Sequence, residues 1–175
     1  MKKIASIVLL TLFVSCGVTV NYDYQKETDF TKYKTYHYFD NMETGLTELD
    51  SRRFFRQLNM ALESKGFTMA NDPDFLIDIK SSYFQDSQSS SSIGIGVGGG
   101  GGNVGGGVSV GIPVGEGNMS RQIVFDFVDS QTERLVWQAI STEPYLPENT
   151  PDARENQFKT VITKVLEGFP PKAKK

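Results

Sequence analysis

Five aspartates are the side chains of this sequence best placed for acid–base chemistry. Asp72, Asp74 and Asp78 surround one predicted strand, and Asp126 and Asp129 surround another. If Asp78 and Asp126 faced each other, repulsion between the carboxylates would raise the pKa of one of them, as a general acid requires. The alternative is that Asp72 and Asp129 form turns while Asp78 and Asp126 point into solvent. We favour the alternative, and predict no enzyme, because no nucleophile motif accompanies the carboxylates.

Metal, cofactor and nucleic-acid chemistry are not indicated. One cysteine and one histidine among 175 residues cannot supply the usual ligands of a zinc site. No lysine or arginine lies between Lys80 and Arg121, so the glycines there do not form a P-loop. The net charge of −3 provides no basic surface for nucleic acid. We therefore predict no cofactor and no nucleic-acid partner, and we expect His37 to be a structural or surface residue.

The single cysteine follows a segment typical of an export signal. Lys2 and Lys3 precede an apolar run over residues 4–14, and Ser15 and Cys16 follow it. The run is too short to span a bilayer but suits a signal-peptide core. This arrangement resembles the lipobox of bacterial lipoproteins, which implies that residues 1–15 are removed and that Cys16 receives a diacylglycerol. The alternative is an ordinary secretory signal.

The residue after the cysteine indicates a destination. Gly17 stands where an inner-membrane retention signal of such lipoproteins usually places aspartate. The resemblance therefore implies an outer-membrane lipoprotein that faces the periplasm, with the membrane bound through the lipid on Cys16. Several acyl chains, at about 0.8 kcal/mol per buried CH₂, would anchor the protein durably.

A glycine-rich insertion occupies residues 87–118. Thirteen of the 17 glycines lie between Gly94 and Gly117, and residues 87–115 carry no charge. Aliphatic residues alternate with small ones on both sides of the glycine centre: Ile93, Ile95, Val97, Val108, Val110 and Ile112. The pattern fits a flexible loop or long hairpin, a partner-binding or self-associating hairpin, or a membrane-inserting hairpin. The candidate partner-binding residues are these six aliphatics and Trp137. For Trp137 the default role is to fill the core, and an exposed position would instead indicate a binding hot spot.

Hydrophobic periodicity predicts the elements that position these residues. Strands are expected over residues 18–24, 33–39 and 75–79, a hairpin over 121–128 and 135–141, and helices over 47–65 and from Pro151 to Gly168. Pro144, Pro147 and Pro151 predict an irregular connection before the second helix. The predicted fold is α+β, with two helices packed on one face of a mostly antiparallel sheet. Residues 16–175 form a single domain that carries the insertion.

Short pieces of sequence occur in an order shared with one protein family. They include Phe30-Thr31-Lys32-Tyr33, Asp72-Pro73-Asp74-Phe75, Leu135-Val136-Trp137 and Phe169-Pro170-Pro171. In this order the chain resembles the bacterial lipoprotein family called domain of unknown function 4136. The resemblance implies an envelope lipoprotein and supplies no catalytic residues.

The predicted function is a non-enzymatic binding or assembly-assisting module in the cell envelope, with an envelope protein or a second copy as partner. Two alternatives stay open. One is an aspartate-dependent hydrolase of cell-wall or glycan material. The other is a membrane-inserting or self-associating module that acts through the glycine-rich insertion.

Overall fold

The computed structural model describes residues 17–85 and 119–172. The predicted signal peptide, Cys16 and the insertion at 87–118, with its six candidate aliphatic residues, lie outside the described residues.

The described chain forms two helices and a sheet. In chain order the elements are β1 (Thr19–Tyr24), a short 3-10 helix (Phe30–Lys32), β2 (Thr35–Tyr38), α1 (Glu48–Ser64), β3 (Thr68–Met69), β4 (Phe75–Gln85), β5 (Met119–Asp129), β6 (Leu135–Tyr145) and α2 (Pro151–Glu167). Over these residues the sheet has six strands in the order β1-β6-β5-β4-β2-β3. The pairs β1–β6, β6–β5 and β5–β4 are antiparallel, and the two pairs that involve β2 are parallel. The predicted α+β class and mostly antiparallel sheet are confirmed.

Local sequence signals explain where α1 begins and ends. The Thr47 hydroxyl accepts a hydrogen bond from the backbone N–H of Asp50 and so caps the first turn. Phe54, Leu58 and Leu62 recur at helical spacing and are fully buried. Gly66 then adopts the left-handed conformation, with φ of 87°, and ends the helix.

The second helix uses the same devices. The Thr150 hydroxyl accepts from the N–H of Ala153, and Pro151 occupies the first turn, where its missing N–H costs nothing. Its apolar stripe is buried: Phe158, Val161, Ile162, Val165 and Leu166. The Phe54 ring contacts both Phe158 of α2 and Phe125 of the sheet, which places both helices on one sheet face.

The central strands are longer than their sequence patterns predict. β4 and β5 pair along eleven residues each, from Phe75 opposite Asp129 to Gln85 opposite Met119. Pro144 was predicted to lie in an irregular connection, but it belongs to β6 and lies opposite Ser120. β1 begins opposite Thr142 and does not extend as far as Pro144. β6 is therefore an edge strand at Pro144, where a proline is tolerated because no neighbouring strand needs its missing N–H.

The core lies between the helices and one face of the sheet. Tyr33 and Tyr36 are buried there, whereas Tyr22 and Tyr24 are partly exposed because β1 is an edge strand. Neither helix of the described ranges is long and apolar enough to cross a membrane.

The sheet has two distinct ends. At the first, which we call the anchor end, β1 starts at Thr19, β4 stops at Gln85, β5 starts at Met119 and β6 stops at Tyr145. Both helices also begin there. The opposite end carries the turn that joins β5 to β6, residues 130–134, and we call it the turn end.

Candidate functional site

The anchor end fixes the chain that immediately follows Cys16. The carbonyl of Val18 accepts a hydrogen bond from Lys164 Nζ of α2 at 3.1 Å, and Val18 packs against the core. From Thr19 onward, β1 pairs with β6, starting opposite Thr142. The body of the protein therefore begins to hold the chain two residues after the predicted lipid attachment point.

The anchor end also contains Gln85 and Met119, the described residues that flank the insertion and that we call its base. Gln85 and Met119 are register partners, so the chain leaves the sheet at β4 and returns to it at β5 side by side. Beside this base, the rings of Tyr83 and Tyr145 lie 4.6 Å apart, with their planes at 61°. The described residues that follow Cys16 and those that flank the insertion thus lie at the same end of the sheet.

A buried ion pair lies under this end. Arg121 of β5 and Glu143 of β6 are register partners, and their side chains are 1% and 0% exposed. Arg121 Nε donates to Glu143 Oε1 at 2.8 Å, and Nη2 donates to the same oxygen. The guanidinium lies 4.3 Å from the centre of the Phe158 ring and 5.5 Å from that of Tyr145. Burial raises the pKa of Glu143, although the charge and hydrogen bonds of Arg121 oppose the shift.

A second buried carboxylate joins the two helix beginnings. Asp50 of α1 is 1% exposed; its Oδ1 accepts from Arg53 and its Oδ2 from Arg154 of α2, both at 2.9 Å. Arg154 also donates to the carbonyls of Pro147 and Asn149, in the connection between β6 and α2. The cluster thereby fixes this connection against the first turn of α1.

The aspartates of the predicted catalytic alternative are divided between two places. Asp78 and Asp126 are register partners, on the sheet face that the helices leave uncovered. Asp126 accepts a hydrogen bond from Gln138 at 2.6 Å, and Asp78 pairs with Lys80 at 2.5 Å. The carboxylates therefore face each other across the strands, as the alternative required, but on an open surface and with partners of their own.

Asp129 has a structural environment at the turn end. It is 3% exposed and accepts hydrogen bonds from Lys32 Nζ, the Tyr33 hydroxyl, and the backbone of Gln131 and Thr132. Although burial alone would raise the pKa of Asp129, these donors, Lys32 foremost, hold it well below its usual range. Burial and the hydrogen bond to Asp129 raise the pKa of Tyr33 to about 12. The turn predicted for Asp129 is present, and the carboxylate also secures the loop before β2.

Asp74 and Trp137 both have structural roles. Asp74 caps the approach to β2, since its Oδ2 accepts from the backbone N–H groups of Lys34 and Thr35. Trp137, offered as a partner-binding residue, is instead fully buried, and its indole N–H donates to the carbonyl of Gly168 at 3.2 Å. Trp137 and Ala139 are two residues apart in β6, so their side chains lie on the same face of the sheet, and both are buried in the core. Trp137 therefore fills the core, its default role.

Comparison with known proteins identifies the family. Residues 20–171 match the family described as "Domain of unknown function (DUF4136)". The chain belongs to the DUF4136 family. The match includes both ends of the sheet and the insertion. No curated protein matches this DUF4136 chain.

Solved structures share the fold of this DUF4136 domain at low sequence identity. A PDZ domain protein from Parabacteroides distasonis is similar with a TM-score of 0.59 and 13% identity. The match covers 98% of this chain but 40% of that protein, so the chain spans well under half of its length. A PelC dodecamer from Paraburkholderia phytofirmans is similar with a TM-score of 0.49 and 13% identity, over 85% of this chain and 94% of that one.

The buried charges of this DUF4136 domain are functional candidates that local sequence patterns do not single out. The sequence pattern assigns no role to Arg121, Glu143 or Asp50. The alternation of side chains along the strands does indicate burial for Arg121 and Glu143. Arg121 lies on the same face of β5 as the buried Ile123 and Phe125, and Glu143 lies on the same face of β6 as the buried Ser141. Within the described ranges, no group of three or more His, Cys, Asp or Glu side chains is arranged to hold a metal ion.

Proposed function

We propose that this protein is a lipid-anchored module of the bacterial envelope that presents its glycine-rich insertion to a protein partner near the membrane. It acts by binding or by assisting assembly, without catalysis. One observation carries the proposal. The chain that follows Cys16 and the two strands that flank the insertion meet at the anchor end, where Thr19 lies opposite Thr142 and Gln85 lies opposite Met119.

The sequence around Cys16 supports the lipid anchor. A short apolar run ends at Ser15 and Cys16, and Gly17 replaces the aspartate of inner-membrane retention. We therefore assign the protein to the outer membrane, with its body in the periplasm. An acylated Cys16 would place the base of the insertion beside the lipid, where partners embedded in the same membrane are within reach.

The composition of the insertion supports a binding role. Its arms alternate aliphatic with small residues and carry no charge over residues 87–115. A strand of this composition has no charged side chains to prevent pairing with another strand, so its edge is adhesive. The partner is another envelope protein; self-association and membrane insertion are the competing outcomes of the experiment below.

The anchor is tested by the intact mass of the protein purified from membranes of a Gram-negative host. We expect loss of residues 1–15 and the added mass of a diacylglycerol and an N-terminal acyl chain. Cys16→Ser should leave the protein without lipid and move it out of the membrane fraction. An unmodified thiol on the wild-type protein would refute the anchor.

The partner is tested by crosslinking in intact cells, with a variant whose folded body is preserved. Replacing residues 87–118 by a single glycine leaves Asp86-Gly as a two-residue turn between Gln85 and Met119, the sequence that a tight hairpin prefers. A length-matched variant changes the six aliphatic residues of the insertion to serine. We expect both variants to lose the same crosslinked proteins and to keep their lipid. An unchanged set of crosslinked proteins would refute the insertion as the interface, and loss of crosslinks only between copies of this chain would favour self-association.

A further inference from the structure

The tether between the predicted anchor and the folded body is very short. Val18 is fixed by Lys164 and by its packing against the core. Two residue steps separate the Cα atoms of Cys16 and Val18, which at full extension span about 7 Å. A lipid on Cys16 cannot reach the bilayer unless the anchor end lies close to the bilayer surface.

Exposed apolar side chains are present at this end. Leu146 follows β6 and is 51% exposed, and Leu49 lies in the first turn of α1 and is 60% exposed. Helical side chains lean toward the helix N-terminus, so Leu49 projects toward the anchor end. Met119 and Phe84, at the base of the insertion, are also exposed.

We propose that the anchor end is a lipid-binding surface: it rests on the bilayer with Leu49 and Leu146 in the headgroup region and the turn end directed away. This inference rests on the lipid anchor at Cys16 proposed above. The charged side chains of this end include Glu48, Glu148 and Asp152, against Arg52, which pairs with Glu48. The favoured surface is therefore zwitterionic lipid.

The chain contains a matched pair of reporter positions. Leu135 and Leu146 lie at opposite ends of β6 and are similarly exposed, 46% and 51%. Eleven residue steps at about 3.3 Å place them about 36 Å apart along the strand. This separation is several times the roughly 6 Å depth of one headgroup layer, so an upright domain brings only Leu146 to the lipid.

The experiment uses the full acylated protein reconstituted into phosphatidylcholine and phosphatidylethanolamine vesicles. The chain has one cysteine, and its thiol is consumed by lipidation, so a cysteine introduced by Leu146→Cys or Leu135→Cys is the only site for a thiol-reactive NBD fluorophore. Leu49→Cys and Met69→Cys provide a second pair, because Met69 is exposed in β3 at the turn end. Vesicles with brominated acyl chains then report contact between fluorophore and lipid.

We expect blue-shifted emission and quenching by brominated lipid for labels at positions 146 and 49, and neither change at 135 and 69. Equal quenching at both ends would mean that the domain lies flat, and no quenching at either end would mean that it stands away from the surface; each result overturns the inference. If the intact mass lacks acyl chains, or the parent protein takes up the fluorophore at Cys16, the lipid anchor itself has failed. The second pair of positions decides the outcome if one variant does not fold.

Discussion

The two ends of the sheet bury carboxylates in opposite ways. At the turn end, Asp129 accepts hydrogen bonds from Lys32, Tyr33 and the backbone of its own turn, and its pKa is held low. At the anchor end, burial raises the pKa of Glu143, although the charge and hydrogen bonds of Arg121 and a hydrogen bond from Gln157 oppose the shift. Both carboxylates have a cationic partner. Glu143 is more deeply buried than Asp129 and has fewer donors, and the two differences together disfavour its charged form.

This difference separates the stabilising role of one end from the proposed binding role of the other. The turn end uses its charges to lock loops, as Asp74 and Asp129 show. The anchor end places ionised groups beneath the residues that lead to Cys16 and to the insertion. A buried ion pair offers weak net stability, since the cost of removing its charges from water offsets much of their attraction.

The largest expected effect comes from breaking the anchor-end pair. Arg121→Met leaves Glu143 buried without its cation, and we expect unfolding to become easier by about 3–5 kcal/mol at pH 7. Urea denaturation followed through the fluorescence of Trp137, the chain's single tryptophan, measures the change.

The matched control for this effect removes both charges. Arg121→Met combined with Glu143→Leu should recover most of the lost stability, because an apolar pair of similar volume has no desolvation cost. A double variant as unstable as the single one would show that the pair itself, rather than the orphaned charge, stabilises the anchor end.

The next effect compares two glycines in the left-handed conformation, one near each end. Gly45 has φ of 69°, and a Cβ there would lie 2.3 Å from the carbonyl oxygen of Ser81 in β4; Gly66 has φ of 87° and open space around it. We expect Gly45→Ala to cost about 3 kcal/mol, from backbone strain and a steric clash together. Gly66→Ala should cost about 1 kcal/mol, from the backbone alone. Equal losses in urea denaturation would contradict the close approach of the Gly45 loop to β4.

The dependence of stability on pH should have opposite signs for the two carboxylates. Asp129 binds its proton less readily in the folded state, so its contribution is present above about pH 4, its unfolded pKa, and is lost as the pH falls through the folded pKa. Glu143 binds its proton more readily in the folded state, so stability falls as the pH rises from about 4.3 through its folded pKa.

Asp129→Asn should therefore reduce the acid-side loss of stability, to which Asp29 and Asp74, with pKa values that are also lowered, still contribute. Glu143→Gln should reduce the decline above about pH 4.3. Urea midpoints of the parent and of both variants from pH 2.5 to 8 test these expectations. If the two variants changed the profile in the same direction, the contrast between the ends would be wrong.

Much of this fold could be predicted from local sequence. Thr47, Thr150 and Gly66 act within one turn of their own helix, and the apolar stripes repeat over a few residues, so the helix bounds are visible in the chain. The buried charges depend on partners far apart in sequence: Asp50 meets Arg154 across 104 residues. A charged residue in an alternating strand is usually exposed. Arg121 differs from such residues only in its position, which lies on the same strand face as the apolar Ile123 and Phe125. Similarly, Pro144 is acceptable in β6 because β1 starts late, a fact of register rather than of composition.

The smallest expected effect concerns a carboxylate pair midway between the two ends of the sheet. Its effect on stability is the reference against which the effects at both ends are compared. Asp78 and Asp126 face each other on the uncovered sheet face, and Lys80 and Gln138 provide a partner for each. Like charges directly opposite across a strand pair are unfavourable by a few tenths of a kcal/mol. Asp126→Asn removes the repulsion and keeps an oxygen for Gln138, so we expect it to stabilise the protein by at most about 0.5 kcal/mol. Because Asp78 and Asp126 are only partly buried, 1 M NaCl should reduce the gain, whereas the loss caused by Arg121→Met in the buried pair should persist. A loss above about 1 kcal/mol for Asp126→Asn would show that the middle of the sheet, and not only its ends, depends on a buried charge.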